Sequence, residues 1–221
     1  MQKGKIIVIE GGDSSGKATQ TALLHDRLAA EGHMVEKMAF PRYQEDQVGG
    51  LIRECLDGKH GDFISTDPRI ASLFYAVDRR ESLPQIQEWL DEGKVIIFDR
   101  YTTANMLHQG AKQTDTVARG ELLTWIHRLE HEILNLPVPD LVIYLNIPAK
   151  GRIALLKNAG RTLDLAEKNE AHQIQVDEAA ADMLQMYPRS TSIDCMKEGE
   201  LKKREEIAEA VYQEVHAIIG L

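Results

Sequence analysis

The stretch from Ile6 to Leu28 constrains the fold of this chain more than any other. Apolar residues at positions 6–9 lead into Glu-Gly-Gly-Asp-Ser-Ser-Gly-Lys-Ala-Thr-Gln and then into helix-forming residues. This pattern predicts a buried strand, a glycine-rich turn and a helix that begins near Gly16. The backbone N–H groups of such a turn lie at the positive end of the helix and form a site for phosphate oxygens. Lys17 adds a cation for the β- and γ-phosphates of a nucleotide.

The predicted phosphate-binding loop departs from the usual pattern at one position. Ala18 stands where a Ser or Thr normally offers a hydroxyl group to Mg²⁺. Thr19, one residue later, is the alternative hydroxyl, acting directly or through water. The residues expected to contact the phosphates of ATP are Gly11, Gly12, Asp13, Ser14, Ser15, Gly16, Lys17, Ala18 and Thr19.

Length and composition narrow the class of protein. A chain of 221 residues fits a single α/β domain better than two small ones. Its 26 basic and 35 acidic residues give a net charge of −9, which repels nucleic acid polymers and anionic membranes. Cys55 and Cys195 have no closely spaced partner, so neither a metal knuckle nor a disulfide framework is predicted. No apolar run approaches the ~18 residues of a membrane helix, and we expect a soluble, cytoplasmic protein.

Strands alternate with helices along the whole chain, which indicates a doubly wound parallel sheet. Pro139 and Pro148 bracket one apolar run and favour a strand there over a buried helix. After the first strand, further strands are predicted at 35–40, 95–98, 141–147 and 190–195. Helices are predicted at 48–56, from Pro68 to about residue 81, within 114–135, at 150–158, from about 166 to 186 and at 201–219.

Two polar segments follow predicted strands, at the sheet edge where ligands of parallel sheets bind. Phe40-Pro41-Arg42-Tyr43 follows the second strand, and Asp99-Arg100-Tyr101 follows the third. A carboxylate at Asp99 is suited to hold Mg²⁺-bound water, and the Arg100 guanidinium is suited to clamp a phosphate. The alternative is an ion pair between the two side chains that caps the sheet.

Four segments in this order resemble thymidylate kinase, particularly its bacterial form. They are Ile9–Lys17, Phe40–Tyr43, Asp99–Tyr101 followed by Gln109-Gly110-Ala111, and Arg161-Thr162-Leu163-Asp164. The resemblance extends from residue 5 to about residue 190. It implies a P-loop nucleoside monophosphate kinase-like fold in one domain over 1–221: a five-stranded parallel sheet flanked by helices, with a short mobile lid at about 157–172. It also implies that the protein transfers the γ-phosphoryl group of ATP to dTMP with Mg²⁺, giving dTDP and ADP in the supply of dTTP. The resemblance further implies a homodimer.

The resemblance assigns roles near the phosphates. Lys17 and the loop amides would hold ATP, and Asp13 would contact the sugar 3′-hydroxyl or the metal region. Arg100 would bridge the donor and acceptor phosphates. Asp13, Asp99 and Glu167 are the candidate metal ligands. Phe40, Pro41, Arg42 and Tyr43 would shape the acceptor's sugar and phosphate site.

The resemblance also assigns a base site. Phe74 would stack on thymine, Arg79 would donate to a base carbonyl, and Asn105 would bond the base through its amide. Taken alone, Arg79 would be interpreted as part of a solvated helix face. His108 stands where the family usually has Tyr near the sugar 2′ position, and Gln109 follows it.

In this family the cation that stabilises the transition state comes either from a basic residue in the phosphate loop or from the lid. Ser14 and Ser15 are neutral, so the lid would supply it here. Arg161 is the first candidate and Lys157 the second. Asp164 and Glu167 match acidic lid positions, with a solvated helix start as the alternative.

Two other functions remain open from the sequence. One is a different nucleoside or nucleotide kinase of the same fold. The other is a non-catalytic nucleotide-binding module, which Ala18 and His108 favour and which Lys17, Arg100 and Arg161 oppose.

Overall fold

The computed structural model describes residues 3–157 and 165–220 of the chain. Five parallel strands form the central sheet in the order β2-β3-β1-β4-β5, which confirms the predicted parallel sheet. The strands are β1 (Lys5–Glu10), β2 (Val35–Ala39), β3 (Val95–Asp99), β4 (Leu141–Asn146) and β5 (Ser190–Asp194).

Helices cover both faces of this sheet. They are α1 (Lys17–Ala30), α2 (Gln47–Leu56), α3 (Pro68–Glu81), α4 (Leu83–Asp91), α5 (Thr102–Gly110), α6 (Thr116–His127), α7 (Ala149–Lys157), α8 (Leu165–Lys168), α9 (Glu170–Gln185) and α10 (Arg204–Ile219). A π-helix, Arg128–Ile133, continues α6. Two short antiparallel strands, β6 (Met196–Lys197) and β7 (Glu200–Leu201), form a hairpin before α10. None of the helices in the described part of the chain is long and apolar enough to cross a membrane.

Strand β1 lies at the centre of the sheet because its side chains are apolar on both faces. Ile6 and Val8 pack into the core on the side of α4, α5, α6 and α9. Ile7 and Ile9 pack on the opposite side with α1 and α10. The glycine-rich turn therefore begins at the C-terminal end of the central strand, in the middle of the sheet.

Some element boundaries differ from those predicted. The segment predicted as one helix from about 166 to 186 is two helices, because Asn169 interrupts it and caps α9 by accepting from the His172 N–H. Helix α10 begins at Arg204 rather than at Leu201, which pairs with Met196 in the hairpin. The helix expected within 114–135 changes to π geometry at Arg128. Helices α4 and α5 were not predicted.

The strand register brings three segments to one edge of the sheet. Asp99 at the end of β3 pairs with Ile9 of β1 on one side and with Ala39 of β2 on the other. The residues that follow these strands are therefore neighbours. Gly11, Phe40 and Arg100 begin the three loops that form the candidate site.

Candidate active site

The loop between β1 and α1 folds around its own lysine. Lys17 is buried, and its Nζ donates to the carbonyl oxygens of Gly11 at 2.9 Å and Gly12 at 2.8 Å. Gly16 has φ +89° and Ser14 φ +60°, so the loop uses left-handed backbone at two positions. Burial, together with the nearby Arg100 charge, lowers the pKa of Lys17 to about 8. The ammonium group therefore remains mostly protonated at neutral pH.

An ion pair connects this loop to the end of β3. Arg100 Nη2 donates to Asp13 Oδ1 at 2.5 Å, and Gln173 Nε2 donates to Asp13 Oδ2 at 2.7 Å. Burial opposes ionisation of Asp13, but the Arg100 guanidinium holds the pKa of that carboxyl well below its usual range. Arg100 has φ +66°, a backbone conformation that non-glycine residues rarely adopt and that is common at functional sites.

The other side of the Arg100 guanidinium contacts a histidine. Arg100 Nη1 lies 2.7 Å from His108 Nε2, so that nitrogen accepts and Nδ1 carries the proton. The His108 ring stacks on His172 of α9, with ring centroids 5.8 Å apart. Burial, reinforced by the Arg100 charge, lowers the pKa of His108 well below its usual value, although Asp13 opposes this shift. His108 is therefore a neutral acceptor that orients Arg100.

A cavity of about 430 Å³ opens beside the C-terminal ends of β2 and β3, a volume that suits a small-molecule ligand. The structure brings most of the predicted site residues to its wall. Those lining it are Asp13, Phe40, Pro41, Tyr43, Arg79, Asp99, Arg100, Asn105, His108, Gln109 and Glu167. Nine lining residues were not predicted, namely Ala39, Arg53, Leu56, Phe63, Ile64, Tyr75, Ala104, Lys112 and His172.

Two residues predicted to bind the acceptor nucleotide, Arg42 and Phe74, are not among the described residues that line this cavity. Arg42 forms an ion pair with Asp46, at 3.0 Å between Nε and Oδ2. Phe74 packs edge-on against Phe63, with ring centroids 5.9 Å apart. Phe63 itself lines the cavity, so Phe74 supports the wall from behind.

The wall of the cavity also includes a buried polar cluster. Arg79 Nε and Nη2 donate to the two carboxylate oxygens of Glu130, both at 2.6 Å. Asn105 Nδ2 donates to Glu130 Oε1 at 2.7 Å. Arg79 is 1% exposed, so the interpretation of it as part of a solvated helix face is wrong.

Comparison with known proteins identifies the family. A family model described as thymidylate kinase matches residues 9–207. The chain is 33% identical over 169 residues to the thymidylate kinase of Mycobacterium tuberculosis, covering 74% of this chain and 78% of that protein. It is 32% identical over 222 residues to the thymidylate kinase of Clavibacter michiganensis subsp. michiganensis, covering 98% of this chain and 97% of that protein. The chain belongs to the thymidylate kinase family.

Family membership confirms the predicted activity and fold. The chain is a kinase that transfers the γ-phosphoryl group of ATP to dTMP, giving dTDP and ADP. A solved structure of thymidylate kinase from Candida albicans aligns with a TM-score of 0.74 at 23% identity, covering 97% of this chain and 92% of that chain. The architecture is therefore that of the P-loop nucleoside monophosphate kinases.

The lid expected of a thymidylate kinase is only partly described. Arg161 and Asp164 lie outside the described residues, so their predicted roles stay predictions. Lys157, at the end of α7, is mostly exposed and pairs with Glu170 at 2.8 Å. Glu167 of α8 is on the cavity wall.

Two buried residues that support the phosphate loop were missed. Glu10 accepts from the Gly11 N–H at 3.0 Å and from Thr103 Oγ1 at 2.8 Å beneath the loop, and burial raises its pKa. Arg152 of α7 donates to the carbonyls of Ile147 and Gln173 and to the Asp177 carboxylate. Glu10 directly precedes the first loop glycine, a signal that could have identified it. For Arg152 the sequence gives no comparable signal.

Arg152 explains why the loop needs glycine at position 12. A Cβ atom built on Gly12 would lie 2.1 Å from Arg152 Nε and 2.4 Å from its Cζ. The guanidinium therefore packs directly on the loop backbone. This contact joins α7, which precedes the predicted lid, to the loop between β1 and α1.

Proposed function

We propose that the loop at 11–19 holds the ATP phosphates, that the cavity holds dTMP, and that Arg100 bridges the two. One observation carries this assignment: the Arg100 guanidinium contacts Asp13 of the loop with one nitrogen and His108 of the cavity with another. A guanidinium in this position can contact phosphates on both sides bidentately.

The chemistry that follows is mainly positioning and charge stabilisation. A phosphate oxygen of dTMP attacks the γ-phosphorus of ATP, and the bond from that phosphorus to the β,γ-bridging oxygen breaks to release ADP. The acceptor oxygen is already ionised at neutral pH, so no side chain has to remove a proton. Lys17 and Arg100 stabilise the charge on the transferring group.

We assign Mg²⁺ to the phosphate end of the site, beside Asp99 and Glu167. The described residues contain no group of three or more side chains that could hold a metal ion alone. Mg²⁺ usually binds through one or two carboxylates together with substrate phosphates and water, and these two cavity residues fit that pattern. Bound there, the ion neutralises phosphate charge. Asp13 is the weaker candidate because Arg100 and Gln173 already engage both of its oxygens.

At the base end, Arg79 and Asn105 are proposed to bond thymine. Both residues line the cavity, and both are held by Glu130 rather than by the phosphate loop. Phe74 would support the base site through Phe63, against which its ring packs. Direct stacking of Phe74 on thymine would require the wall to rearrange. Phe40, Pro41 and Tyr43 would then surround the sugar and phosphate, and Gln109 would complete the wall.

We propose Arg161 as the lid cation of the transition state, as its match to the family motif implies. Arg161→Ala is expected to lower turnover by ~10²-fold or more while the Michaelis constants change little, because a preorganised charge stabiliser is lost. Lys157→Ala is the matched comparison, since that side chain pairs with Glu170 on the surface. An unchanged turnover number in Arg161→Ala would assign the cation elsewhere.

The decisive assay is ADP release with Mg-ATP and dTMP, run beside dUMP, UMP, AMP and thymidine. Turnover with dTMP well above the others supports the assignment of the cavity. Turnover that is highest with another acceptor would mean that the cavity takes a different nucleotide. ATP binding without turnover on any acceptor would favour a non-catalytic module.

We also propose that the enzyme is a cytoplasmic homodimer. Helix α3 exposes Ile70, Leu73 and Val77 on one face, an apolar row suited to pairing with a second copy. A dimer mass by light scattering at micromolar concentration, reduced to a monomer mass by Leu73→Glu, would support this. Recovery of the native enzyme in the cytosolic fraction tests the location.

A further inference from the structure

A carboxylate with no role in phosphate chemistry controls two groups at the base end of the cavity. Glu130 is 0% exposed and lies in the π-helix that follows α6. Both of its oxygens accept from Arg79, through Nε and Nη2 at 2.6 Å each. This bidentate contact fixes the plane of the guanidinium. It leaves Nη1 as the terminal nitrogen that Glu130 does not bind.

Glu130 also determines how the Asn105 amide is oriented. Asn105 Nδ2 donates to Glu130 Oε1 at 2.7 Å and to the Ser72 carbonyl at 3.2 Å. Both neighbours are acceptors only, so the NH₂ group must face them and the amide cannot be reversed without losing both bonds. The Asn105 Oδ1 atom is buried and has no hydrogen-bond partner within the described part of the chain. An unpartnered buried acceptor is costly unless a ligand donor satisfies it.

We propose that Glu130 is a positioning residue that sets the base selectivity of the enzyme by presenting an Arg79 donor and an Asn105 acceptor to the acceptor base. The proposal rests on the assignment of this end of the cavity to the base. Glu130 itself is not a catalytic residue, because it acts only through its two neighbours.

The donor and acceptor order matches thymine and opposes cytosine. Thymine offers the O4 carbonyl as an acceptor and N3–H as a donor, which complement an Arg79 N–H and Asn105 Oδ1. Cytosine offers an amino group and an unprotonated N3, so a donor would face a donor and an acceptor would face an acceptor. Sites built to hydrogen-bond one pattern reject the reverse pattern strongly, because buried polar groups are left unpaired. The role of Glu130 is to prevent the Asn105 amide from turning over to suit cytosine.

The test compares dTMP and dCMP as acceptors for the wild type and for Glu130→Gln. The glutamine side chain offers one oxygen and one NH₂ group, so it can neither bind Arg79 through two oxygens nor fix the Asn105 amide. We expect the Michaelis constant for dTMP to rise about ten- to a hundredfold, the loss typical of a hydrogen bond to a charged group. The Michaelis constant for ATP should change little. The ratio of kcat/KM for dTMP over dCMP should fall about tenfold or more.

Glu132→Gln is the matched control. It removes a carboxylate from the same π-helix, but Glu132 is exposed and pairs with Arg128 at 3.3 Å. The Michaelis constant for dTMP and the ratio of kcat/KM for dTMP over dCMP should therefore stay at the wild-type values. Glu130→Gln leaves the buried Arg79 charge without its partner, which destabilises the fold. Glu130→Asp is therefore the second variant. It keeps the charge but is one methylene too short to hold both neighbours.

The outcomes distinguish failure of the role proposed for Glu130 from failure of the base-site assignment on which it rests. If the wild type does not prefer dTMP over dCMP, the base-site assignment fails. If the wild type discriminates and folded Glu130→Gln discriminates equally well, the positioning role of Glu130 is overturned. Should Glu130→Gln not fold, Glu130→Asp decides in the same way: reduced discrimination supports the role, and unchanged discrimination overturns it.

Discussion

At the scale of single residues, the cations of this site are already engaged by the protein. Lys17 donates to loop carbonyls, Arg100 pairs with Asp13, Arg79 with Glu130, and Arg152 with Asp177. These contacts hold long side chains in fixed positions before any ligand binds, which lowers the entropy cost of binding. In a chain of net charge −9 they also pair each guanidinium group with a carboxylate of the fold.

Asp78 is a buried carboxylate whose charge the fold only partly compensates. Its Oδ1 accepts from the Arg42 N–H at 3.1 Å, its Oδ2 has no partner among the described residues, and burial raises its pKa to about 6. In the unfolded chain an aspartate titrates near pKa ~3.9. The folded state therefore binds the proton more tightly, and ionised Asp78 costs stability that is fully felt above pH 6 and absent below pH 4.

Asp78→Asn should relieve that cost while keeping an acceptor for Arg42. Relative to wild type, its stability should rise as the pH increases from 4 to 6 and then level off, by up to about 1.4 kcal/mol per unit of pKa shift. Urea unfolding at several pH values measures the difference. A constant difference between pH 4 and 8 would contradict the assignment. Asp78→Ala, which loses the acceptor, should instead raise the Michaelis constant for dTMP.

At the scale of elements, helix α2 determines the position of the loop at 40–43. A Cβ atom on Gly49 would lie 2.1 Å from the Arg42 carbonyl oxygen, whereas one on Gly50 would meet nothing closer than the Tyr43 oxygen at 3.8 Å. The helix can approach the loop because position 49 has no side chain. Loop and helix thus form one unit beside the cavity.

Adjacent glycine substitutions should have opposite effects. Gly49→Ala should destabilise the enzyme by about 1–3 kcal/mol and raise the Michaelis constant for dTMP, because the loop must move. Gly50→Ala should stabilise it by about 0.5–1 kcal/mol, since alanine favours the helix. Thermal unfolding and steady-state kinetics of the two variants check this. Equal effects of the two substitutions would show that the close approach does not matter.

The phosphate loop and the parallel sheet could be predicted from sequence because their signals are local. The apolar run at 6–9 and the glycines after it predict a strand and a turn without knowledge of the rest of the chain. Glu130 and Arg152 could not be predicted in the same way. Each lies far along the chain from the group it supports, Arg79 and Gly12 respectively, and only the packing of helices brings them together. Family resemblance predicted Arg79 but not its partner.

At the scale of the whole molecule, neutral histidines that are buried or half-buried connect folding to pH. Burial lowers the pKa of His131 to about 4, lowers that of His108 well below its usual value, and lowers that of His172. In the unfolded chain these rings titrate near pKa ~6.5. The unfolded state therefore binds more protons than the folded state below pH 7, and stability falls as the pH falls.

Acidification from pH 8 to pH 5 should lower the free energy of unfolding, with a slope that approaches about 1.4 kcal/mol per pH unit for each of these histidines. His131→Gln should reduce this slope, because the glutamine side chain has no proton to gain. His33→Gln is the control, since His33 is exposed. Chemical denaturation across this pH range gives both slopes. An unchanged slope in His131→Gln would refute the contribution of that ring.

The π-helix at 128–133 makes the proposed base site sensitive to the length of the chain. A π-helix is a wider turn that accommodates an extra residue within a helix, and such turns are frequent at functional sites. Deleting one residue between Thr116 and Leu129 would shift the helical phase by about 100° and turn position 130 away from Arg79. A single-codon insertion or deletion in this helix could thus leave the sheet and phosphate loop intact while changing which base the enzyme accepts. Helix length as well as residue identity would then decide which base the enzyme accepts.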